Sequence, residues 1–292
     1  MKLSSTTRIA GVVGRPVGHS LSPLLHNAWI EGLGLDAAYV AIELTAEGFA
    51  PFIRGLRGSS MAGLNVTLPF KTLALDAADV VTPRASRAMA ANVLVFQSDG
   101  TVLADNTDGL GLLAAFGKQA PGFDPRTGPV VILGAGGAAR GAAAVFLQAG
   151  CPEVRLVNRT LEKATQVAAS LGGAIKAFHP LSASTAFEDA RAIINATSAG
   201  VADSQSLNYP FATTSATAVF MDMVYKPLLT PFLAQARALH RPTVDGLEML
   251  IGQAVPAFVA FFGTPPPATV DVRRLALQAL EPSPVGRYSP KG

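Results

Sequence analysis

Lys71 closes the stretch Asn65-Val66-Thr67-Leu68-Pro69-Phe70-Lys71, in a chain with seven lysines. An apolar, strand-like run leads into Pro69, so the lysine falls at the start of a helix, just past a strand. It is either a solvated surface charge or a cation held at the mouth of a site. Two more polar segments pose the same choice: Gly18-His19-Ser20-Leu21-Ser22-Pro23 and Asp105-Asn106-Thr107-Asp108-Gly109. Ser20 and Ser22 alternate along an extended segment, so both hydroxyls can face one side. Pro23 starts a helix with Ser22 as its N-cap, and hydroxyls at a helix start suit a carboxylate. Asp108 opens another helix, where an acid also sits well for purely structural reasons. All three segments follow predicted strands. Ligands of a parallel-type sheet bind at the carboxyl ends of strands, so the three can converge on one cleft. His19 and His26 have no further ligand in register and read as structural or supporting residues; no metal site is expected.

A second chemistry sits further along. Val130-Val131-Ile132-Leu133 runs straight into Gly134-Ala135-Gly136-Gly137-Ala138-Ala139, a G-x-G-x-x-[GA] pattern between a strand and a helix. Gly134 permits the tight turn, Gly136 lets backbone amides approach a pyrophosphate, and Ala139 lets helix and sheet pack closely. The helix N-terminus then faces the anion. The next strand ends Asn158-Arg159-Thr160, without the acid that would bind a ribose 2′-hydroxyl. Arg159 can pair with a 2′-phosphate and Thr160 adds a hydrogen bond, so the cofactor reads as NADP over NAD.

The elements that must position these groups alternate strand and helix. Strands are expected at Arg8–Gly14, Ala38–Leu44, Met61–Leu68, Val93–Phe96, Val102–Asp105, Val130–Leu133, Val154–Asn158, Ile193–Ala196, Val219–Met223 and Pro242–Val244. Helices fall between them, and two more follow, Leu247–Phe262 and Val272–Leu280. Ser98-Asp99-Gly100 makes a hairpin of the fourth and fifth strands. The fold class is therefore α/β in two domains separated by a cleft. An N-terminal mixed α/β substrate-binding domain takes residues 1–108 plus 246–292, because the last two helices bring no strand and pack back on it. A Rossmann NADP-binding domain takes residues 109–245. The tail from Pro282 reads as loose.

Composition supports a globular chain with a sizeable core: of 292 residues, 49% are hydrophobic and 15% charged. The net charge of +3 is mild, and the basic residues are scattered, which excludes a nucleic-acid stripe or a polybasic membrane patch. Cys151 is the one cysteine, so no intrachain disulfide is possible. With no signal-like N-terminus and no apolar run long enough to span a bilayer, a cytoplasmic protein is expected.

Taken together these segments resemble a known family. Gly11–Asn27 (GVVGRPVGHSLSPLLHN), NVTLPFK, Ala91-Asn92-Val93, DNTDG, GAGGAAR, NRT, DMVYKP at Asp222–Pro227 and GLEMLIGQ at Gly246–Gln253 look like the motif set of shikimate dehydrogenases, in the same order, over nearly the whole chain. The resemblance implies reversible reduction of 3-dehydroshikimate to shikimate by NADPH, by a monomer or homodimer. It implies that Lys71 is the catalytic lysine and Asp108 its carboxylate partner. Ser20, Ser22, Thr67 and Tyr225 would surround the substrate carboxylate, and Asn92 and Gln253 would hold ring hydroxyls. Gly134, Ala135, Gly136, Gly137, Ala138, Asn158, Arg159, Thr160 and Lys163 would contact NADP, with Met223 and Gly246 beside the nicotinamide. Reducing a ketone needs a hydride at carbon and a proton at oxygen, and an ammonium can stabilise the developing alkoxide and supply that proton. Val93 departs from the threonine usual at that position. It is expected to remove a hydroxyl near the cleft, which leaves quinate or a related acid as the alternative substrate; a non-catalytic NADP-binding paralogue is the other alternative.

Overall fold

The computed structural model describes residues 3–197 and 209–281; the tail read as loose lies outside them. The chain builds two six-stranded sheets. The first holds β1 (Arg8–Gly14), β2 (Ala37–Glu43), β3 (Met61–Val66), β4 (Val80–Val81), β5 (Val93–Phe96) and β6 (Val102–Asp105), in the order β2-β1-β3-β5-β6-β4. β1 runs parallel to β2 and β3, whereas β5 is antiparallel to both β3 and β6. The sheet is mixed, as its hairpin requires. Its helices are α1 (Ser22–Gly32), α2 (Ala46–Gly55), α3 (Lys71–Asp76) and α4 (Pro83–Ala88). The carboxyl ends of β1, β3 and β6 and the amino end of β5 meet at one edge. The residues after Gly14, Val66 and Asp105 and the residue before Val93 therefore share a rim.

α5 (Asp108–Gln119) leads to the second sheet. That sheet comprises β7 (Val130–Leu133), β8 (Val154–Val157), β9 (Ile175–Phe178), β10 (Ala192–Asn195), β11 (Val219–Asp222) and β12 (Thr243–Val244) in the order β12-β11-β10-β7-β8-β9. Every pairing is parallel. β7 and β10 are buried at every position, so unbroken apolar runs replace an alternating pattern. α6 (Gly137–Gln148), α7 (Leu161–Leu171), α8 (Ala183–Phe187) and α9 (Pro231–Ala238) cover the faces. α10 (Gly246–Phe262) and α11 (Val272–Leu280) follow.

The two halves are joined by a pair of helices. α5 gives Leu112, Ala115 and Phe116 to the core of the second sheet. α10 gives Leu247, Leu250, Ala254, Ala257, Phe258 and Phe261 to the core around β1, β2 and α1. The two helices touch through glycines. A Cβ on Gly111 would lie 2.5 Å from the Met249 carbonyl oxygen and 2.7 Å from the Gln253 nitrogen. Asp245 locks the joint: it caps α10 through the Glu248 N–H, takes a hydrogen bond from Gln119 at the end of α5, and pairs with Arg273 of α11 at 2.6 Å.

Candidate active site

Lys71 is the first residue of α3 and Asp108 the first of α5. The two helices start at the same rim, and Lys71 Nζ meets Asp108 Oδ2 at 2.5 Å. Asn92, immediately before β5, locks Asp108 in place. Its Nδ2 lies 2.9 Å from Asp108 Oδ1, 2.8 Å from Gln253 Oε1 and 3.0 Å from Thr107 Oγ1, while its Oδ1 accepts the Thr107 N–H. An amide has two hydrogens for those three acceptors, so this nearly fully buried side chain is saturated by the protein itself. Asp105 braces the same loop. Burial pushes its carboxyl up, but hydrogen bonds from Arg84 and Thr82 outweigh that and hold its pKa below the ordinary value.

A cavity of about 220 Å³ opens beside this pair, lined by Ser20, Ser22, Asn65, Thr67, Lys71, Asn92, Tyr225 and Gln253 among others. The structure corrects one expectation here. Ser22 does not cap α1: Leu21 holds that position with no side-chain cap, and Ser22 is the first helical residue. The Ser22 N–H instead reaches Ser20 Oγ at 3.2 Å, which leaves the Ser22 hydroxyl unspent on capping. Asn65 also lines this cavity, a position not expected from the sequence. The signal was present, because Asn65 lies two positions before Thr67 and so on the same face of the strand. Val93 is the second correction. It is buried in the core with β1 and α10 and is not among the residues lining either cavity, so the missing hydroxyl is not one that faces them.

A second cavity of about 370 Å³ adjoins the first, sharing Thr67, Lys71, Tyr225, Leu250 and Gln253 and adding Asp108, Gly137, Ala138, Met223 and Gly246. Lys71 thus stands where the two spaces meet. Met223 and Tyr225 come from the segment after β11, which Asp222 ties down: it accepts from Asn195, Thr230 and the Val224 N–H. Burial raises the Asp222 pKa and these donors oppose the rise. Burial also raises the Tyr225 phenol above its ordinary value, with the Leu21 N–H opposing. Gly246 is packed against this segment: a Cβ there would come within 2.6 Å of the Met223 carbonyl oxygen.

The glycine turn sits at the carboxyl end of β7. Gly134 has φ +116°, a conformation that favours glycine, and a Cβ on Gly136 or Gly137 would meet no protein atom. Gly136 is the N-cap of α6 with no side-chain cap, so the first amides of that helix keep their donors for another partner. Ala139 is fully buried against the sheet. β8 lies beside β7, so Asn158, Arg159 and Thr160 stand at the same sheet edge as the turn, outside both cavities. Asn158 Nδ2 donates to the Thr160 carbonyl. Thr160 precedes α7 without capping it, and Arg159, Thr160 and Lys163 are exposed. Among the described residues no acid pairs with Arg159 or Lys163. This end fits a dinucleotide carrying an extra phosphate.

Residues 12–94 match the shikimate dehydrogenase substrate binding domain, and residues 120–247 match shikimate / quinate 5-dehydrogenase. A shikimate dehydrogenase (NADP(+)) of Caulobacter vibrioides (strain NA1000 / CB15N) is 52% identical over 272 residues, 93% of this chain and 95% of that protein. The chain belongs to the shikimate dehydrogenase family. Among solved members, shikimate 5-dehydrogenase from Thermus thermophilus, in complex with NADP(H) and shikimate, aligns with a TM-score of 0.83 at 36% identity, covering 94% of this chain and 100% of that one. Quinate dehydrogenase from Corynebacterium glutamicum, in complex with NAD, aligns with a TM-score of 0.84 at 26% identity over 94% of this chain and 99% of that one. Gln253 lies beyond both family-matched ranges yet lines both cavities. Among the described residues no helix is long and apolar enough to cross a membrane.

Proposed function

We propose that this chain catalyses the reversible NADPH-dependent reduction of 3-dehydroshikimate to shikimate, a step toward chorismate and the aromatic amino acids. The observation that carries the reading is the Lys71–Asp108 ion pair at the junction of the two cavities. One cavity is small and rimmed with hydroxyls and amides, as a polyhydroxy carboxylate requires. The other runs to the start of α6.

Ser20, Ser22, Thr67 and Tyr225 bind the substrate carboxylate. Gln253 already accepts from Asn92, so its Nε2 is left to donate to a ring hydroxyl, while Asn92 fixes Asp108 and borders the same hydroxyls. Gly134, Ala135, Gly136, Gly137 and Ala138 hold the NADP pyrophosphate at the α6 N-terminus. Asn158, Arg159, Thr160 and Lys163 take the adenosine 2′-phosphate, and Met223 and Gly246 border the nicotinamide. When bound, NADPH supplies the hydride that reaches the carbonyl carbon. The Lys71 ammonium donates a hydrogen bond to the carbonyl oxygen and passes its proton there as the alcohol forms. Asp108 holds the ammonium on that oxygen and accepts from a neighbouring hydroxyl. Lys71 then recovers a proton through the open side of the cavity, since its side chain is only partly buried.

The chain divides into a substrate domain of residues 1–108 plus 246–292 and an NADP domain of residues 109–245. The separate cores on which α10 and α5 draw support this division. All the groups named come from one chain, so a monomer and a homodimer serve the reaction equally. A cytoplasmic setting fits the single free Cys151.

The test is absorbance of reduced nicotinamide with purified protein, offering shikimate or quinate with NADP or NAD. Reduction of NADP by shikimate at the highest kcat/KM of the four pairs is expected. Turnover confined to quinate or to NAD would contradict the reading.

A further inference from the structure

His26 lies one turn after Ser22 on α1 and is fully buried. Its ring stacks on Tyr39, with centroids 4.1 Å apart and planes 10° from parallel; Trp29 stands edge-on at 5.5 Å and Phe258 lies 5.8 Å away. Among the described residues, Nδ1 and Nε2 of His26 are the only buried side-chain nitrogens or oxygens with no hydrogen-bond partner. Burial lowers its pKa to about 3, so the ring is neutral. Unpartnered buried nitrogens oppose stability. His26 also lines the 220 Å³ cavity, and the contact the protein gives its ring is the face laid on Tyr39.

The next residue grips the same tyrosine. Asn27 Nδ2 donates to the Tyr39 carbonyl at 2.8 Å, and its Oδ1 accepts the Tyr39 N–H at 2.9 Å. Consecutive residues of α1 therefore hold Tyr39 by its backbone and by its ring. What they hold still is the phenol, which donates to Asn65 Oδ1 at 2.7 Å. Burial pushes that phenol well above its ordinary pKa, with the Ser22 hydroxyl opposing, so the donor stays protonated. Asn65 Nδ2 spends one hydrogen on the Asn92 carbonyl at 3.2 Å. With its oxygen turned to the phenol and one amide hydrogen spent, Asn65 keeps its second N–H as a donor for the cavity it lines.

We propose that His26 and Tyr39 are positioning residues for substrate binding: the ring stack fixes the Tyr39 hydroxyl on Asn65, and Asn65 is thereby fixed as a hydrogen-bond donor to an oxygen of the bound acid. The inference rests on the cavity being the substrate site. It explains why a histidine and an asparagine stand side by side in α1 with neither reaching the Lys71–Asp108 pair.

Steady-state kinetics with shikimate and NADP on His26→Ala, His26→Phe and Tyr39→Phe, together with thermal unfolding, test it. Tyr39→Phe frees the Asn65 amide to turn its oxygen inward. His26→Ala removes the stack. Each is expected to raise KM for shikimate about tenfold, with kcat and KM for NADP within about twofold of wild type. His26→Phe restores an aromatic face without the unpartnered nitrogens, so it recovers the wild-type KM to within about twofold and unfolds at a higher temperature. An unchanged KM in Tyr39→Phe overturns the proposal, as does a rise in His26→Phe equal to that in His26→Ala. A parallel rise in KM for NADP also overturns it, by showing general loosening. If His26→Ala does not fold, Tyr39→Phe still decides, since it loses a single oxygen. Wild-type protein that turns over no shikimate removes the substrate-site reading itself, before any variant is compared.

Discussion

Arg159 and Lys71 are both basic residues just past a strand, and their surroundings differ: Lys71 meets the Asp108 carboxylate. Arg159 is exposed and, among the described residues, has no acid beside it; the adjoining Thr160 hydroxyl caps nothing. Arg159→Ala is expected to raise KM for NADP about tenfold or more while leaving use of NAD nearly unchanged, because a charged hydrogen bond to a phosphate is lost. Initial rates with both cofactors check this. The placement of these residues was legible because it depends on local spacing: a glycine turn after one strand and a basic residue after the next. Asn65 was less legible, since it looked like strand interior, and only its face relative to Thr67 gave it away. Ser22 was misread for a related reason. Ser before Pro is the sequence of an N-cap, but the helix begins one residue earlier, at Ser22 itself. Val93 points to the core because its strand alternates faces and Asn92 precedes that strand.

At the scale of elements, α5 and α10 do the positioning. Gly111 has no room for a methyl group against the Met249 carbonyl and the Gln253 nitrogen. Gly111→Ala must push the helices apart, at a cost of about 1–3 kcal/mol. It should also lower kcat/KM, because Asp108 starts one helix and Gln253 sits on the other. Chemical denaturation and kinetics on the same variant test both halves. Gly141→Ala, on α6 with open space where a Cβ would go, is the control and should gain stability. Asp245 gives a pH dependence to the same joint. Burial pushes its carboxyl up, but the hydrogen bonds from Arg273, Gln119 and the Glu248 N–H win, and its pKa lies below the ordinary 3.8. Its contribution is therefore present above that ordinary value and is lost as pH falls through the lowered one. Asp245→Asn should cost about 1–3 kcal/mol at neutral pH, since hydrogen bonds to a charged acceptor are lost. The gap to wild type should narrow as pH falls below that ordinary value, measured by unfolding as a function of pH. The sequence announced both helices through their apolar faces but not this joint, which depends on residues far apart in the chain. The elements it missed are the least periodic: the two-residue β4, β9 with a lysine in its middle, and the five-residue α8.

For the whole molecule, the two sheets present their ligand-binding edges to one cleft, and the chain passes between them at Asp105–Asp108 and at Val244–Gly246. Such a layout predicts closure about those crossings when both ligands are bound. Solution scattering should show compaction on adding NADP with shikimate; identical profiles would count against it. The motif order made this plan legible because each motif marks the end of a strand. Which motifs face each other required the antiparallel β5, which brings Asn92 to the rim from the opposite direction. The central claim is that Lys71, held by Asp108 where the two cavities meet, is the proton donor and acceptor. The most direct measurement is the single-turnover rate of NADP reduction by wild type and Lys71→Ala, with both ligands saturating so that binding drops out. A fall of about 10²–10⁴ in that rate, with NADP still bound, is expected. A Lys71→Ala rate equal to wild type would contradict it.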